Sequence, residues 1–202
     1  MSIVWLEKRG AHLVGERLEV KRAGRGAHAP EFTLTGCSGG RGSGGCRAGP
    51  GGRAFDEAAA ELSEKFPDYA AYISAWGDRF GETISDPVPG MHALVEQLHA
   101  RGVPLFAITN FSADFWKPFR AREDAFFRRF RDVVVSGEEK LLKPDPALYF
   151  RALDRFGLKP HEALFIDDRQ INVEGAEAVG MHAHLFTDAE GLRRRLEAEG
   201  LL

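Results

Sequence analysis

Residues 163–172 read Ala163-Leu164-Phe165-Ile166-Asp167-Asp168-Arg169-Gln170-Ile171-Asn172, and the arrangement of the chain is best understood from this segment. Its four apolar residues predict a fully buried strand, and a helical pattern follows from Val173. Two adjacent carboxylates, Asp167 and Asp168, stand where the strand ends. Like charges held together by buried backbone are unfavourable unless a cation or a lysine compensates them, which favours a divalent metal. Alternatively, one of the two simply caps the following helix.

Predicted strands and helices alternate along residues 87–202. The predicted strands are Val103–Ile108, Asp132–Ser136, Leu164–Ile166 and Ala183–Phe186. The predicted helices run from Met91 to Leu98, from Ala113 to Phe130 with an interruption near Pro118, from Pro146 to Phe156 and from Leu192 to Leu201. This alternation predicts an α/β fold in which helices cover both faces of a parallel sheet.

Residues 55–86 predict two short helices before this α/β core. Ala58, Leu62 and Phe66 fall at helical spacing and Pro67 ends that helix, and an aromatic stripe from Tyr69 to Phe80 marks the second. We interpret the segment as a helical insertion. Its aromatic residues favour packing, and a cap over an active site would use the same residues.

Residues 1–54 differ in composition from everything after them. They hold 13 of the 23 glycines, they are rich in arginine, and they contain no Asp. Such a segment buries too little apolar surface to offset its ordering entropy, which predicts disorder. Only Ser2–Leu6, Arg17–Lys21 and Glu31–Thr35 are strand-like. Its two cysteines, Cys37 and Cys46, lack a neighbouring pair that would complete a zinc site, so we expect cytosolic thiols.

Charge and hydropathy exclude several classes of partner. The formal net charge of −3 gives no bulk reason to expect nucleic acid or an anionic membrane surface. No apolar run reaches the length of about 18 residues that a membrane-spanning helix needs. We therefore expect a cytoplasmic protein, and the sequence does not indicate its oligomeric state.

Polar groups follow three of the predicted strands. Thr109 and Asn110 follow the first strand, Lys143 lies in the loop after the second, and Asp167 and Asp168 end the third. Because the carboxyl ends of parallel strands share one edge, these groups should converge on one crevice. A hydroxyl, an ammonium and a carboxylate pair that can hold Mg²⁺ suit a phosphate ester as ligand.

Three segments together resemble the second, third and fourth motifs of the haloacid dehalogenase superfamily. They are Leu105-Phe106-Ala107-Ile108-Thr109-Asn110, then Ser136-Gly137-Glu138-Glu139 with Lys143-Pro144-Asp145-Pro146, then Phe165-Ile166-Asp167-Asp168 with Asn172-Val173. The likeness covers about residues 55–202 and is greatest to the capped, phosphatase-like branch. It implies a Rossmann-like parallel sheet with a small helical cap over residues 55–86 and a core over residues 87–202.

The resemblance also implies roles for the residues at this edge. Thr109 would bind the transferred phosphoryl group, with Asn110 beside it, and Lys143 would steady both the nucleophile and the phosphate. Asp168 would ligate Mg²⁺ and Asp167 would assist it. Asn172 would be a further polar residue of the site. The implied activity is Mg²⁺-dependent hydrolysis of a small phosphate monoester through an aspartyl-enzyme intermediate.

The first motif of the family is missing. Relatives have an apolar strand that runs into Asp-x-Asp-Gly, whose first Asp is the nucleophile and whose second is the general acid and base. Here no Asp precedes Asp56. If Ile3-Val4-Trp5 is the equivalent strand, Leu6 falls near the nucleophile and Lys8 near the acid. Glu7 is a poor substitute, because a shift of one residue along a strand turns the side chain to the opposite face.

Two interpretations of residues 1–54 stay open. An altered reading frame in a GC-rich gene would leave this composition, with family-like sequence resuming at Phe55. Alternatively, the protein has exchanged catalysis for binding of a ligand or a partner.

Carbon–halogen cleavage of a 2-haloacid, which needs no metal, is the alternative reaction within the family. Loss of the central strand would leave backbone groups unpaired, so we predict weak folding unless Ser2–Leu6 supplies that strand.

Overall fold

The computed structural model of the chain describes residues 2–5, 54–84 and 87–202, with residues 2–5 described through their backbone. Its five strands form one parallel sheet. They are β1 (Ser2–Trp5), β2 (Leu105–Thr109), β3 (Asp132–Val135), β4 (Ala163–Asp167) and β5 (His182–Leu185), in the spatial order β3-β2-β1-β4-β5. The predicted α/β fold with a parallel sheet is therefore confirmed.

Helices connect the strands and precede the core. They are α1 (Phe55–Lys65), α2 (Ala70–Asp78), α3 (Met91–Ala100), α4 (Ala113–Arg122), α5 (Asp124–Phe127), α6 (Ser136–Glu139), α7 (Pro146–Phe156), α8 (Gln170–Ala178) and α9 (Ala189–Ala198). Short 3-10 turns lie at Pro67–Tyr69, Phe80–Thr83 and Pro160–Glu162. Among the described residues, none of these helices combines the length and the hydropathy of a transmembrane span.

The sheet separates two apolar clusters, one on each face. Strand residues alternate between the faces, so that in β4 Leu164 and Ile166 join one cluster and Phe165 joins the other. The first cluster also contains the buried side chains of α3, α4 and α9, whereas the second contains those of α7 together with Ala176 of α8. Helices thus cover both faces, as the alternation of strands and helices predicted.

The N-terminal strand β1 lies at the centre of the sheet. Its last residue, Trp5, is paired with Ala107 of β2 and Ile166 of β4. The condition attached to the prediction of weak folding is therefore met, because Ser2–Trp5 supplies the central strand. The strand-like segments Arg17–Lys21 and Glu31–Thr35, both cysteines and the predicted disorder fall outside the described residues.

The helical region after β2 breaks at a different place from the one predicted. Helix α4 continues through Pro118, and the break lies at Glu123, between α4 and α5. Pro118 is the sixth of the ten residues of α4, past the first turn, and its missing N–H removes one backbone hydrogen bond of the helix. Buried Trp116 and Phe119 on either side of Pro118 anchor the helix in the core.

The helical segment 54–84 packs against the core through aromatic rings. Phe55 and Trp76 lie 5.4 Å apart between ring centroids, and Phe80 stacks on Phe115 of α4 at 4.2 Å. Phe80 also makes an edge contact with Phe111, whose centroid is 5.6 Å away. The helices predicted over 55–86 are thus present, and they touch the loop that follows β2. Their role as a cap stays a prediction.

Candidate active site

The carboxyl ends of β2 and β4 and the loop after β3 bring the predicted site residues to one edge of the sheet. Thr109 is the last residue of β2 and Asp167 the last of β4, and both side chains are buried. Short helix α6 turns the chain back after β3 so that Lys143 reaches the same edge. The structure therefore joins groups from three separate segments of the sequence.

Lys143 is the centre of this edge. Only 4% of the residue is exposed, and its Nζ donates to the carbonyl oxygen of Ile108 at 2.9 Å. The same Nζ lies 3.4 Å from Oδ2 of Asp167. An ammonium held among buried groups is costly unless it is paired and hydrogen-bonded, and Lys143 has both kinds of partner. The peptide bond that joins Lys143 to Pro144 is cis.

Asn110 holds the backbone of Lys143 rather than facing an open crevice. Its Nδ2 donates to the carbonyl oxygen of Lys143 at 3.1 Å, and its Oδ1 accepts from the Lys143 N–H at 2.9 Å. Both ends of the side-chain amide are thus engaged. The predicted role of the Asn110 side chain in phosphate binding stays a prediction, and the geometry supports a positioning role for it.

Asp167 is the more deeply placed of the two adjacent carboxylates. Its Oδ1 accepts from the Arg169 N–H at 2.9 Å, and its Oδ2 accepts from Asn172 Nδ2 at 2.9 Å besides facing Lys143. Asp168 is half-buried. The Arg169 contact is a local turn that starts the path into α8, so Asp167 serves both the turn and the ion pair.

Burial acts against both charges of the ion pair. Desolvation lowers the pKa of Lys143 from 10.5 to about 8, although the nearby carboxylates of Asp167 and Asp168 oppose the shift. Desolvation likewise raises the pKa of Asp167, against the attraction of Lys143 and the hydrogen bonds from Arg169 and Asn172. Both groups are thus pushed towards neutrality, and a bound anion beside Lys143 or a cation beside Asp167 would favour their charged forms.

Two residues that the sequence did not single out position the start of α8. Tyr149 is fully buried and its hydroxyl donates to the carbonyl oxygen of Asn172 at 2.8 Å. Gly175 faces Pro144, where an added Cβ would come within 2.9 Å of the proline Cβ. A buried tyrosine needs a hydrogen-bond partner, so the apolar stripe of α7 carried a signal for Tyr149. The spacing of the motifs gave no indication that Gly175 packs closely against Pro144.

The oxygen atoms at this edge fit Mg²⁺ in their chemistry. Oδ1 of buried Asn172 has no hydrogen-bond partner among the described residues. Asp168 adds a carboxylate next to Asp167, and Mg²⁺ is usually bound through one or two carboxylates together with water and substrate phosphate. The described residues contain no group of three or more His, Cys, Asp or Glu side chains that could hold a metal. The predicted metal roles of Asp168 and Asp167, and Asn172 as a further polar residue of the site, stay predictions.

A family model described as haloacid dehalogenase-like hydrolase matches residues 10–180. Acyl-CoA dehydrogenase family member 10 of Mus musculus is 28% identical over 145 residues, which are 71% of this chain and 13% of that protein. A phosphoglycolate phosphatase of Nitrosospira multiformis is 34% identical over 96 residues, which are 46% of this chain and 41% of that enzyme. The chain thus spans less than half the length of these curated relatives.

The fold is also found among solved structures. A HAD family enzyme from Bacteroides thetaiotaomicron, in complex with magnesium and inorganic phosphate, matches with a TM-score of 0.56 at 20% identity, over 71% of this chain and 76% of that one. At this identity the likeness concerns the fold alone. The family model, by contrast, is matched over most of the sequence and includes all three motifs at the sheet edge. The chain therefore belongs to the haloacid dehalogenase-like hydrolase family.

Proposed function

We propose that this protein derives from a Mg²⁺-dependent phosphatase that acts on a small phosphate monoester, and that the chain as written is impaired because its nucleophile is absent. One observation carries the proposal: a buried ammonium, a threonine at a strand end and an Asp pair converge at one edge of a parallel sheet. That set of groups suits a phosphoryl dianion and a divalent cation together.

Each residue takes a role that its surroundings allow. The Thr109 hydroxyl and the Asn110 N–H hold phosphoryl oxygens, and Lys143 neutralises their charge. Asp168 would hold Mg²⁺, with Asn172 Oδ1 as a further oxygen for it, while Asp167 keeps Lys143 and Asn172 in place. When bound, Mg²⁺ would offset the charge of the phosphate ester as its bond to the leaving group breaks.

The relatives support this choice of substrate class. One matched relative is a phosphoglycolate phosphatase, and the related Bacteroides enzyme was solved with magnesium and inorganic phosphate. Dehalogenation of a 2-haloacid is the second candidate within the family and would need no metal. The Asp167-Asp168 pair favours the phosphatase. The cap role of residues 55–86, a small phosphorylated partner and a cytoplasmic location belong to this proposal as well.

In the family, the nucleophile follows the strand that corresponds to β1, and this chain has no carboxylate directly after that strand. In the family's reaction, a carboxylate attacks phosphorus, the alcohol leaves with a proton from the general acid, and water then hydrolyses the aspartyl phosphate. Strand β1 ends at Trp5, between Ala107 and Ile166, and the next residue in the sequence is Leu6. The sequence therefore offers a leucine at the position that needs a carboxylate.

Rebuilding the first motif tests the proposal directly. The double variant Leu6→Asp with Lys8→Asp should raise Mg²⁺-dependent hydrolysis of an aryl phosphate at least about a hundredfold above the unmodified chain, because a nucleophile and an acid are restored. Glu7→Asp is the matched control and should gain nothing, because it places no carboxylate at position 6. Release of halide from a 2-haloacid in the presence of EDTA, with no gain on the aryl phosphate, would favour the dehalogenase.

Measuring whether the chain binds phosphate distinguishes an impaired phosphatase from an unrelated binding module. Inorganic phosphate with Mg²⁺ should bind the unmodified chain in a calorimetric titration. Thr109→Val and Asp168→Asn should each weaken binding about tenfold, through loss of a hydroxyl or of a carboxylate ligand. Glu174→Gln, an exposed change on α8, is the control. Absence of phosphate binding would count against the proposal, and turnover of aryl phosphate by the unmodified chain would contradict its impairment.

The origin of residues 1–54 is decided by the coding DNA. If another frame upstream of the Phe55 codon encodes an apolar run ending in Asp-x-Asp-Gly, the natural protein is an ordinary active member of the family. If no frame encodes it, the chain is a genuine variant without its nucleophile. A binding function would then be the better description.

A further inference from the structure

The loop that follows β2 is fastened to the first residues of α6. Ser136 Oγ accepts from the Phe111 N–H at 3.0 Å and donates to the Phe111 carbonyl oxygen at 3.3 Å. The N–H of Gly137 donates to the same carbonyl at 3.0 Å. Ser136 is fully buried. Water therefore cannot readily replace its hydroxyl, and both backbone polar groups of Phe111 depend on α6.

Gly137 shows how closely the two segments approach. A Cβ added there would lie 2.4 Å from the backbone nitrogen of Ala113 and 2.7 Å from the carbonyl oxygen of Phe111. These are backbone atoms at the start of α4, and they cannot move aside as the end of a flexible side chain could. The contact between α6 and the loop is thus a close backbone junction, and the Ser136 hydroxyl completes it.

The fastened loop in turn holds Lys143. Asn110 directly precedes Phe111, and its side-chain amide bonds both the N–H and the carbonyl of Lys143. The ammonium of Lys143 bonds the carbonyl of Ile108, two residues before Asn110. Apart from its contact with Asp167, the hydrogen bonds of Lys143 end on residues 108–110, so a displacement of this loop would displace the lysine.

We propose that Ser136 is a positioning residue of the candidate active site. By fixing Phe111, it keeps Asn110 against the backbone of Lys143 and so determines where the ammonium lies beside Asp167. The catalytic meaning of this inference rests on the proposed phosphatase function, whereas the placement of Lys143 can be measured without it. The sequence placed Ser136 in a motif but assigned it no role.

Amide hydrogen exchange, followed by NMR on the full chain, tests the proposal. In Ser136→Ala, the Phe111 and Lys143 amides should exchange roughly fivefold faster, as expected for the loss of one buried hydrogen bond, while amides of β4 keep their rates. Ser112→Ala is the matched control, because Ser112 is also buried and caps α4 without a side-chain hydrogen bond to the helix. It should leave both amides unchanged.

Two further measurements distinguish positioning from a merely structural role. If Ser136 acts through Asn110, adding Ser136→Ala to Asn110→Ala should accelerate exchange at Lys143 no further. Ser136→Ala should also weaken the binding of inorganic phosphate with Mg²⁺ several-fold, whereas Ser112→Ala should leave it unchanged.

Faster exchange at Phe111 alone, with Lys143 unaffected, would overturn the proposal, and so would uniform acceleration across β4. If the unmodified chain fails to bind phosphate, the proposed function fails, and exchange at Lys143 still decides the role of Ser136.

Discussion

Two ion pairs flank the loop 136–143, and they differ in burial as well as in the distance between their charged atoms. The Lys143–Asp167 pair is fully buried, with side chains 1% and 0% exposed, and its charged atoms are 3.4 Å apart. The Arg155–Asp132 pair is closer, at 2.7 Å, but its side chains are 40% and 33% exposed. The longer contact should matter far more to stability, because no water compensates the buried charges when one partner is lost.

The surroundings of the two pairs explain the contrast. Arg155 also contacts Glu139 at 3.2 Å, so the surface group is a small network between α6, α7 and the start of β3. Water and salt screen such a network. The buried pair is enclosed by the sheet edge, and its partners are the few protein groups already described. The difference shows that burial, rather than distance, determines what a charge contributes.

The largest effect is expected from Asp167→Ala. This change leaves the Lys143 ammonium buried without its carboxylate and removes the acceptor for Asn172 and Arg169. The free energy of unfolding should fall by about 3–5 kcal/mol, the usual result of breaking a buried pair from one side. Denaturant unfolding followed by circular dichroism measures this change.

The matched double variant tests the cause of that loss. Lys143→Met combined with Asp167→Ala removes both charges, so it should be clearly more stable than Asp167→Ala alone. Asp168→Ala, a half-buried neighbour, should have a much smaller effect. If the double variant is no more stable than the single one, lost hydrogen bonds rather than the stranded charge explain the result.

The next effect is a dependence of stability on pH that only the buried pair should show. The pKa of Lys143 is about 8 in the folded chain, against an ordinary value of 10.5. Between these values the unfolded chain keeps a proton that the folded chain has released. Stability should therefore rise with pH through this window, and below pH 8 the cost of burying the ammonium is present in full.

Lys143→Met provides the comparison for this measurement. Unfolding free energies from pH 8 to about 9.5 should rise more steeply in the unmodified chain than in the variant. The window ends there because burial also raises the pKa of Tyr149, so ionisation of that tyrosine in the unfolded chain opposes folding at higher pH. Equal slopes in the two proteins would show that the pKa of Lys143 is not lowered.

Much of the core could be predicted because its signals are local. Helix α7 has both predicted ends, since Asp145 caps it, Pro146 begins it and Gly157 ends it in the left-handed conformation. Buried apolar runs located β2 and β4 within two residues. Local sequence signals did not predict the order of the strands in the sheet, because strand pairing depends on contacts between segments that are distant in the sequence. The central position of Ser2–Trp5 is visible only in the folded sheet.

The candidate site could be predicted in composition but not in arrangement. Strand ends and motif spacing brought Thr109, Lys143 and Asp167 together correctly. Spacing does not fix the orientation of a side chain, however, so the engagement of Asn110 with the Lys143 backbone and the junction at Ser136 were not foreseen. Such contacts depend on loop conformations that only the packed structure determines.

A smaller effect is expected when the surface network is broken. Arg155→Ala removes the contacts with Asp132 and Glu139 and should cost at most about 1 kcal/mol of unfolding free energy. The loss should shrink further in 1 M salt, which screens exposed charges. Denaturant unfolding at two salt concentrations measures both effects. A loss as large as that of Asp167→Ala would refute the contrast drawn between the two pairs.

The smallest effect concerns the backbone between the two pairs. Lys140 ends α6 with φ 57° and ψ 28°, and it is the only described residue other than glycine with positive φ. Lys140→Gly should stabilise the chain by about 0.5–1 kcal/mol, because relief of strain exceeds the added flexibility of the unfolded glycine. Lys140→Ala removes the same charge but keeps the strain, so its thermal midpoint should not rise. Equal stabilisation by both variants would instead attribute the gain to charge. That outcome would show that the charge of Lys140, and not the strain of its backbone, lowers the stability of the chain.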